Sequence, residues 1–281
     1  GQKTAAEKFA GALHTYCIEG LMQDGKALQA GTSHHLGENF AKAFDVKFQD
    51  KDSKLKYVHG TSWGVSTRLI GGMIMTHSDD NGLVVPPKLA PLPVVIVPIY
   101  RNDEQAAQVL GKAREMTEGW DPLFFRIDDR DHYKPGYKFN EWELKGIPLR
   151  IEIGPRDVEN GEVVVARRDT GEKATLPMAG LREKLEALLE DIQSNLFSAA
   201  KKRMEEMTHT VDSYDEYKER VAEGGFFRVF LDHENPAVEE QMQNDTRSTI
   251  RAIPFDAPEE EGPCMITGKS CKNRVVAGQS Y

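Results

Sequence analysis

The chain has 281 residues, with 36 Lys and Arg against 45 Asp and Glu, a net charge of −9, 39% hydrophobic residues and three cysteines. That length suits two or three domains, and a normal apolar share excludes a disordered chain. No apolar run approaches the ~20 residues that a membrane-spanning helix needs. The opening GQKTAAEKFAG has neither the basic flank nor the apolar core of a secretion leader. Cys17, Cys264 and Cys271 are too few for a disulfide framework, which points to a reducing, cytoplasmic setting.

A negative chain argues at first against a polyanionic partner. The acidity is local, however. From Glu205 to Gly262 sixteen acidic side chains meet five basic ones, a balance of −11, so the remaining residues sum to +2. Nucleic acid therefore stays open as a partner.

The first stretch, to about Ala90, opens with an expected helix over residues 5–23, because Phe9, Leu13, Tyr16 and Cys17 recur at helical spacing. A Gly-punctuated loop (DGKALQAGTSHHLGENFAKAF) is expected next, then a strand over Lys56–Val65 and a helix over Ser66–His77. Asp79 to Gly82 reads as a turn, and Pro86-Pro87 stops any helix. In the second stretch, Val94–Ile99 reads as a buried strand, and Asn102 or Asp103 caps a helix running to about Glu118. Strands are expected at Leu123–Ile127, Pro148–Ile153 and Glu162–Ala166, giving a βαβ-type α/β domain. The third stretch begins with a long helix whose apolar stripe is Leu181, Leu185, Leu188, Leu189, Ile192, Leu196, Phe197 and Ala200. Gly224-Gly225 ends it; a strand (FFRVFL), a helix over Pro236–Asp245 and a Gly/Pro-rich tail follow.

The densest segment is GTSWGVSTRLIGGMIMTHSDDNGLVVPPKLAP. A strand delivers small residues and Trp63 to one place, and Arg68 follows in the first turn of a helix that Gly71 and Gly72 allow to pack closely. An arginine fixed this way either grips a terminal phosphate with two N–H groups or serves as a surface ion-pair partner. The residues alone leave both open, as they do for His34-His35, which reads as a loop or core pair or as a ligand contact.

Gly60 to Pro91 resembles motif 3 of a class II aminoacyl-tRNA synthetase, in particular the archaeal/eukaryotic-like prolyl-tRNA synthetases. KALQAGTSHHLGENFAKAFDVKF, PGYKFNEWELKGIPLRIEIGPRD, TIRAIPFDAPEEEG and the terminal tyrosine are similar to the same family, in the same order along all 281 residues. The resemblance implies an α+β multi-domain chain. Residues 1–90 would be the closing part of the class II antiparallel-sheet catalytic domain, 91–200 an α/β anticodon-binding domain with a mixed five-stranded sheet, and 201–281 a small α/β C-terminal domain.

It also implies roles. Arg68 resembles the motif 3 arginine on the ATP γ-phosphate, with Thr67 beside it and Gln29 and Thr32 as nucleotide contacts. His34, Ser62, Trp63 and Gly64 correspond to the wall of the proline pocket; His35 is left structural. Glu143, Arg150, Arg156 and Lys173 correspond to anticodon-contacting positions, where a carboxylate suits the N1–H and N2–H₂ edge of guanine. Trp142 could stack a base, but a tryptophan beside a strand is more often a core residue. Many relatives hold zinc with four cysteines, but the matching positions here are His233, Val238, Cys264 and Thr267, with Cys271 outside the pattern. Two donors do not make a tetrahedral set, so no metal is expected and packing of Phe226, Phe227, Phe230, Ile250, Ile253 and Phe255 must hold that domain.

The expected partners are proline, ATP with Mg²⁺ and proline tRNA, in a homodimeric parent enzyme, with no membrane and no DNA. Motif 1, motif 2 and the Thr-x-Glu loop have no match in the 281 residues and are expected before residue 1. A non-catalytic tRNA-binding or scaffold module derived from a synthetase is the alternative, and intact Gln29, Thr32, His34 and Arg68 argue against it. The chain alone is expected to show no proline-dependent pyrophosphate exchange; a robust exchange signal contradicts that expectation.

Overall fold

Period-two alternation, not helical spacing, governs the start of the chain. In the computed structural model, which describes residues Gly1–Tyr281, the expected first helix is instead a turn followed by strand β1 (His14–Leu21). It pairs antiparallel with β2 (Ala27–Gly37), where a loop was expected. Thr15 and Cys17 are buried while Ile18 is exposed, so the apolar residues of β1 do not share one helical face. After α1 (Asn39–Ala43) come a hairpin, β3 (Lys47–Gln49) with β4 (Leu55–Tyr57), and then β5 (Gly60–Gly64). Strand β5 pairs with β2, giving the order β1-β2-β5. Helix α2 (Arg68–His77) follows as expected. Its Gly72 is buried, and a Cβ there would stand 2.9 Å from the Leu28 side chain on β2, which is the close packing the glycine allows.

Residues His77–Lys201 form one unit by their contacts. Its elements are β6 (Val94–Pro98), α3 (Asp103–Met116), β7 (Phe125–Ile127), α4 (Pro135–Leu144), β8 (Leu149–Ile153), α5 (Pro155–Asn160), β9 (Glu162–Arg167), β10 (Lys173–Pro177) and the start of α6 (Leu181–Glu206). The Asn102 side chain caps α3 by accepting the Gln105 N–H. The five strands run β10-β9-β8-β6-β7; β6 is parallel to β7 and β8, whereas β9 is antiparallel to β8 and β10. The sheet is therefore mixed. Val94, Ile96, Leu149, Ile151 and Val163 meet Leu181, Leu185, Leu189, Ile192 and Leu196 of α6 in its core. Phe197 is exposed, because it lies about 100° round the helix from Leu196.

The other unit is discontinuous, Gly1–Thr76 with Lys202–Tyr281. Its later part holds β11 (Thr208–Thr210), α7 (Tyr214–Arg220), β12 (Phe226–Val229), α8 (Pro236–Thr246), β13 (Thr249–Ala252), the hairpin β14 (Glu261–Pro263) with β15 (Ser270–Lys272), and β16 (Val275–Gly278). The sheet order is β11-β12-β16-β13. Phe227, Phe230 and Ile250 are core residues as expected, and Phe226 packs with Leu21 and Ala27. Phe255 is exposed and contributes nothing to that core.

Backbone pairing explains why the two ends share a unit. Gln2 and Ile253 exchange N–H···O bonds of 2.9 and 2.8 Å, and Ala27 N–H donates to Gln279 O at 2.8 Å. Gly25 and Gly224 approach so closely that a Cβ on either would strike the other's backbone at 2.9–3.0 Å. A buried network reinforces this: Lys3 Nζ donates to Glu19 Oε1 and to Arg251 O, both at 2.8 Å, while Arg251 holds Glu19 Oε2. No helix is long and apolar enough to cross a membrane.

In the His77–Lys201 unit, Asp128 follows β7 and is buried. Burial alone raises its carboxyl, but hydrogen bonds from Arg130 and Trp142 and the Lys138 charge hold it at about 2. A depressed carboxylate stabilises the fold fully above its unfolded value and loses that contribution as pH falls. Melting temperatures are therefore expected to fall between about pH 4 and about pH 2, and Asp128→Asn is expected to lower the pH 6 value and flatten that acid-side decline.

Candidate functional site

Strand register in the His77–Lys201 unit builds a charged cavity of about 330 Å³. Arg150 of β8 lies opposite Ala166 of β9, and Ala166 lies opposite Lys173 of β10, so the two cations flank a small residue in one row. Glu152, two residues along β8, shares the face of Arg150. It accepts from Arg150 Nε and Nη2 at 3.2 and 3.0 Å and from Lys173 Nζ at 2.8 and 3.1 Å. Phe139 of α4 lies against the same pair, its ring centroid 4.4 Å from the Arg150 guanidinium carbon. One turn on, at i+4, the same helix face presents Glu143.

Arg168, just beyond β9, closes the opposite wall. Its guanidinium makes a bidentate pair with Asp79 at 2.8 and 2.6 Å and donates to Gly82 O at 3.2 Å and Glu143 O at 3.1 Å. The Asp79 carboxyl is held below the ordinary carboxylate range by this contact. Gly82 must be glycine here: its φ is +135°, and a Cβ would stand 2.5 Å from Leu144 Cα. Arg167 is likewise tied to Asp169 at 3.0 and 2.9 Å, and to Asp191 of α6 at 2.5 Å.

Four cations (Arg150, Arg167, Arg168, Lys173) thus meet five carboxylates (Asp79, Glu143, Glu152, Asp169, Asp191), and eight of the nine are paired. The Glu143 carboxylate alone has no hydrogen-bond or ion-pair partner, although the residue is only partly exposed and lines the cavity. The cavity therefore presents one unsatisfied pair of acceptor oxygens within a frame of paired charges.

Glu143, Arg150 and Lys173, matched by resemblance to anticodon-contacting positions, all line this cavity. Arg156 does not: it is exposed on α5 and is not among the residues lining the cavity. Trp142 is buried as expected, on a helix, with its indole N–H on Asp128 Oδ2 at 2.8 Å. Glu152, Arg168 and Asp79 were not anticipated. Charged residues two apart in an otherwise apolar strand (LRIEI) were the available signal for Glu152; Asp79 and Arg168 are 89 positions apart, and nothing local links them.

A second group lies in the discontinuous unit. Antiparallel β2 and β5 pair Thr32 with Gly64 and His34 with Ser62, and these residues, Gln29, Trp63 and Arg68 line an open hollow of about 350 Å³. Arg68 Nη1 donates to Gln29 O at 3.4 Å, and His34 Nδ1 bonds Thr15 Oγ1 at 3.0 Å with Phe9 against its ring. Thr67 is not among the lining residues. Trp63 is in register with Ser33 and Tyr16, so it also borders an apolar hollow with Ile18 and Val65, and 79% of it is exposed. The terminal Tyr281 lies at the start of β2, its N–H on Ala27 O at 3.4 Å. Burial and a hydrogen bond to Asp24 push its phenol up to about 12.

Residues 93–188 match the family described as the anticodon binding domain, and residues 214–281 match that described as prolyl-tRNA synthetase, C-terminal. The chain matches the C-terminal region of the prolyl-tRNA synthetases. Over its whole length it is 53% identical to the proline--tRNA ligase of Chloroflexus aurantiacus, 52% to that of Porphyromonas gingivalis and 52% to that of Phocaeicola vulgatus, covering 59%, 57% and 58% of those proteins. The chain thus spans a little under three fifths of the curated synthetases it matches. The mixed five-stranded sheet is the body of the anticodon-binding domain, and the charged cavity lies within it.

The synthetase C-terminal domain does not offer a zinc site at the four positions considered. Val238 is buried among apolar neighbours that include Cys264 and Cys271, and no three His, Cys, Asp or Glu side chains converge on a metal-sized space. Hairpin β14–β15 brings Cys271, outside the four family positions, beside Cys264. Burial raises the Cys264 thiol, yet the Thr267 hydroxyl and the N–H groups of Thr267, Asp232 and Ile266 bring it below the ordinary thiol range.

Arg168→Ala removes the partner of Asp79 and two further contacts, to Gly82 O and Glu143 O, at once. It is expected to destabilise the anticodon-binding domain by about 1–2 kcal/mol in urea titration, because Asp79 stays half-exposed to water while two backbone carbonyls lose a donor, with Arg168→Lys recovering only part because it cannot form the bidentate pair.

Proposed function

We propose that the cavity of the anticodon-binding domain reads a guanine of the proline tRNA anticodon through Glu143. The unpartnered Glu143 carboxylate carries this reading. Two acceptor oxygens side by side match the N1–H and N2–H₂ donors of a guanine Watson–Crick edge, and neither adenine nor a pyrimidine offers that pair. Arg150 and Lys173 supply donors to the remaining base and backbone acceptors, and Phe139 a π-face beside them. Arg156, outside the cavity, serves the adjoining sugar-phosphate chain.

In the same reading, residues 1–90 close a class II catalytic domain, 91–200 read the anticodon and 201–281 complete the chain. Arg68 binds the ATP γ-phosphate, with Gln29, Thr32 and Thr67 on the nucleotide, while His34, Ser62, Trp63 and Gly64 wall the proline site. The whole enzyme, a cytoplasmic homodimer, activates proline with ATP and Mg²⁺ to prolyl-adenylate and transfers it to the tRNA 3′ end. The convergence of Gln29, Thr32, His34, Ser62 and Arg68 on one hollow supports this assignment.

The test is fluorescence anisotropy of the chain with a proline-type anticodon stem-loop and with versions carrying inosine, which lacks the N2 amino group, in place of each anticodon guanine. The unsubstituted chain is expected to prefer guanine by about tenfold or more at one position, and Glu143→Ala to erase most of that preference. Equal binding of all the RNAs refutes the reading.

A further inference from the structure

We propose that Glu152 is a positioning residue that sets base selectivity in this cavity, by fixing Arg150 and Lys173 and cancelling one of their charges. The proposal rests on the anticodon reading above and adds a residue that never needs to touch the RNA.

The geometry is specific. Glu152 is 8% exposed, and its two oxygens take both cations that flank Ala166. Arg150 is held on three sides: Nε and Nη2 by Glu152, Nη1 by Phe139 O at 3.5 Å, and its face by the Phe139 ring. A guanidinium has five N–H donors, so two remain, on nitrogens whose orientation is already set. Lys173, half-exposed at its side chain, is drawn inward onto the same carboxylate. A lysine left to itself samples many rotamers and meets phosphate from any direction; one held on a carboxylate does so only where the frame points it.

The charge balance leads to the same conclusion. Glu152 cancels one of the two positive charges that Arg150 and Lys173 bring to this row, so less attraction remains for RNA as a mere polyanion. Without it both charges are uncompensated, and sequence-independent phosphate attraction increases while the donors lose their aim. Glu152 therefore trades affinity for discrimination.

The chain with Glu152→Gln, which keeps the shape and removes the charge, is titrated with the guanine-bearing stem-loop and with one whose anticodon guanines are adenines, over a series of salt concentrations. Guanine preference is expected to fall about tenfold, mainly through tighter binding of the adenine RNA, and the slope of log K against log[salt] to steepen by about 0.7, one further counterion released from a single strand. A simple packing role would weaken both RNAs alike and leave the slope unchanged. Glu152→Asp keeps the charge but withdraws the carboxylate by one methylene; it is expected to lose part of the preference with the slope unaltered, and it decides the matter should the Gln variant not fold. Preference and slope both unchanged in the variants overturn the role of Glu152 alone. An unsubstituted chain with no guanine preference overturns the base reading and this proposal together.

Discussion

The ion pair between Arg168 and Asp79 is the contact on which the cavity depends. It ties the turn before β6 to the end of β9, and the same guanidinium reaches the carbonyl of Glu143 at the end of α4. Three chain segments are thus fixed by one side chain, and the residue that presents open acceptors is placed by its own backbone. A bidentate pair suits this because it defines an orientation as well as a distance. Arg168 is buried while Asp79 stays half-exposed, so the pair adds little net stability of its own. Its effect here is geometric: Glu143 cannot shift without breaking it.

The sheet supplies the rest. Placing Ala166 between Arg150 and Lys173 leaves a gap no wider than one small side chain, and the cations bend across it to Glu152. A larger residue at 166 would fill the floor of the cavity. The cavity's other charges are paired, so the −9 of the chain and the acidity of residues 205–262 say nothing against an RNA surface elsewhere. What matters is which charges are left over, and in this cavity only one carboxylate is.

Much of the fold was legible where one face of an element is apolar and the other polar. The strand at Val94, the capped helix after Asn102 and the Leu181–Leu196 stripe all obey that rule. Strand β1 does not. Glu19 is buried there in an ion-pair network, and Thr15 bonds His34, while Ile18 faces outward, so the polarity pattern is inverted and mimics helical spacing. Helix α4 was hidden for another reason: its buried Lys138 and Trp142 are satisfied by Asp128, a partner outside the helix. Glu143, Arg150 and Lys173 were legible through family resemblance. Glu152 and Arg168 act through other side chains, and contacts between distant segments leave no local spacing to read.

The pairing of Gln2 with Ile253 and of Ala27 with Gln279 has a consequence for the order of events during synthesis. The anticodon-binding domain is continuous in sequence, so every contact in its core is available once residue 201 has emerged from the ribosome. The other unit must wait for the last strand before β1 and β2 gain their partners, and its loop-closure entropy is correspondingly large. Until then the Leu21, Ala27 and Phe226 surfaces stay open to solvent. Translation therefore delivers the anticodon-binding domain first, and the segment that walls the proposed proline site acquires its final support only once β16 has been made.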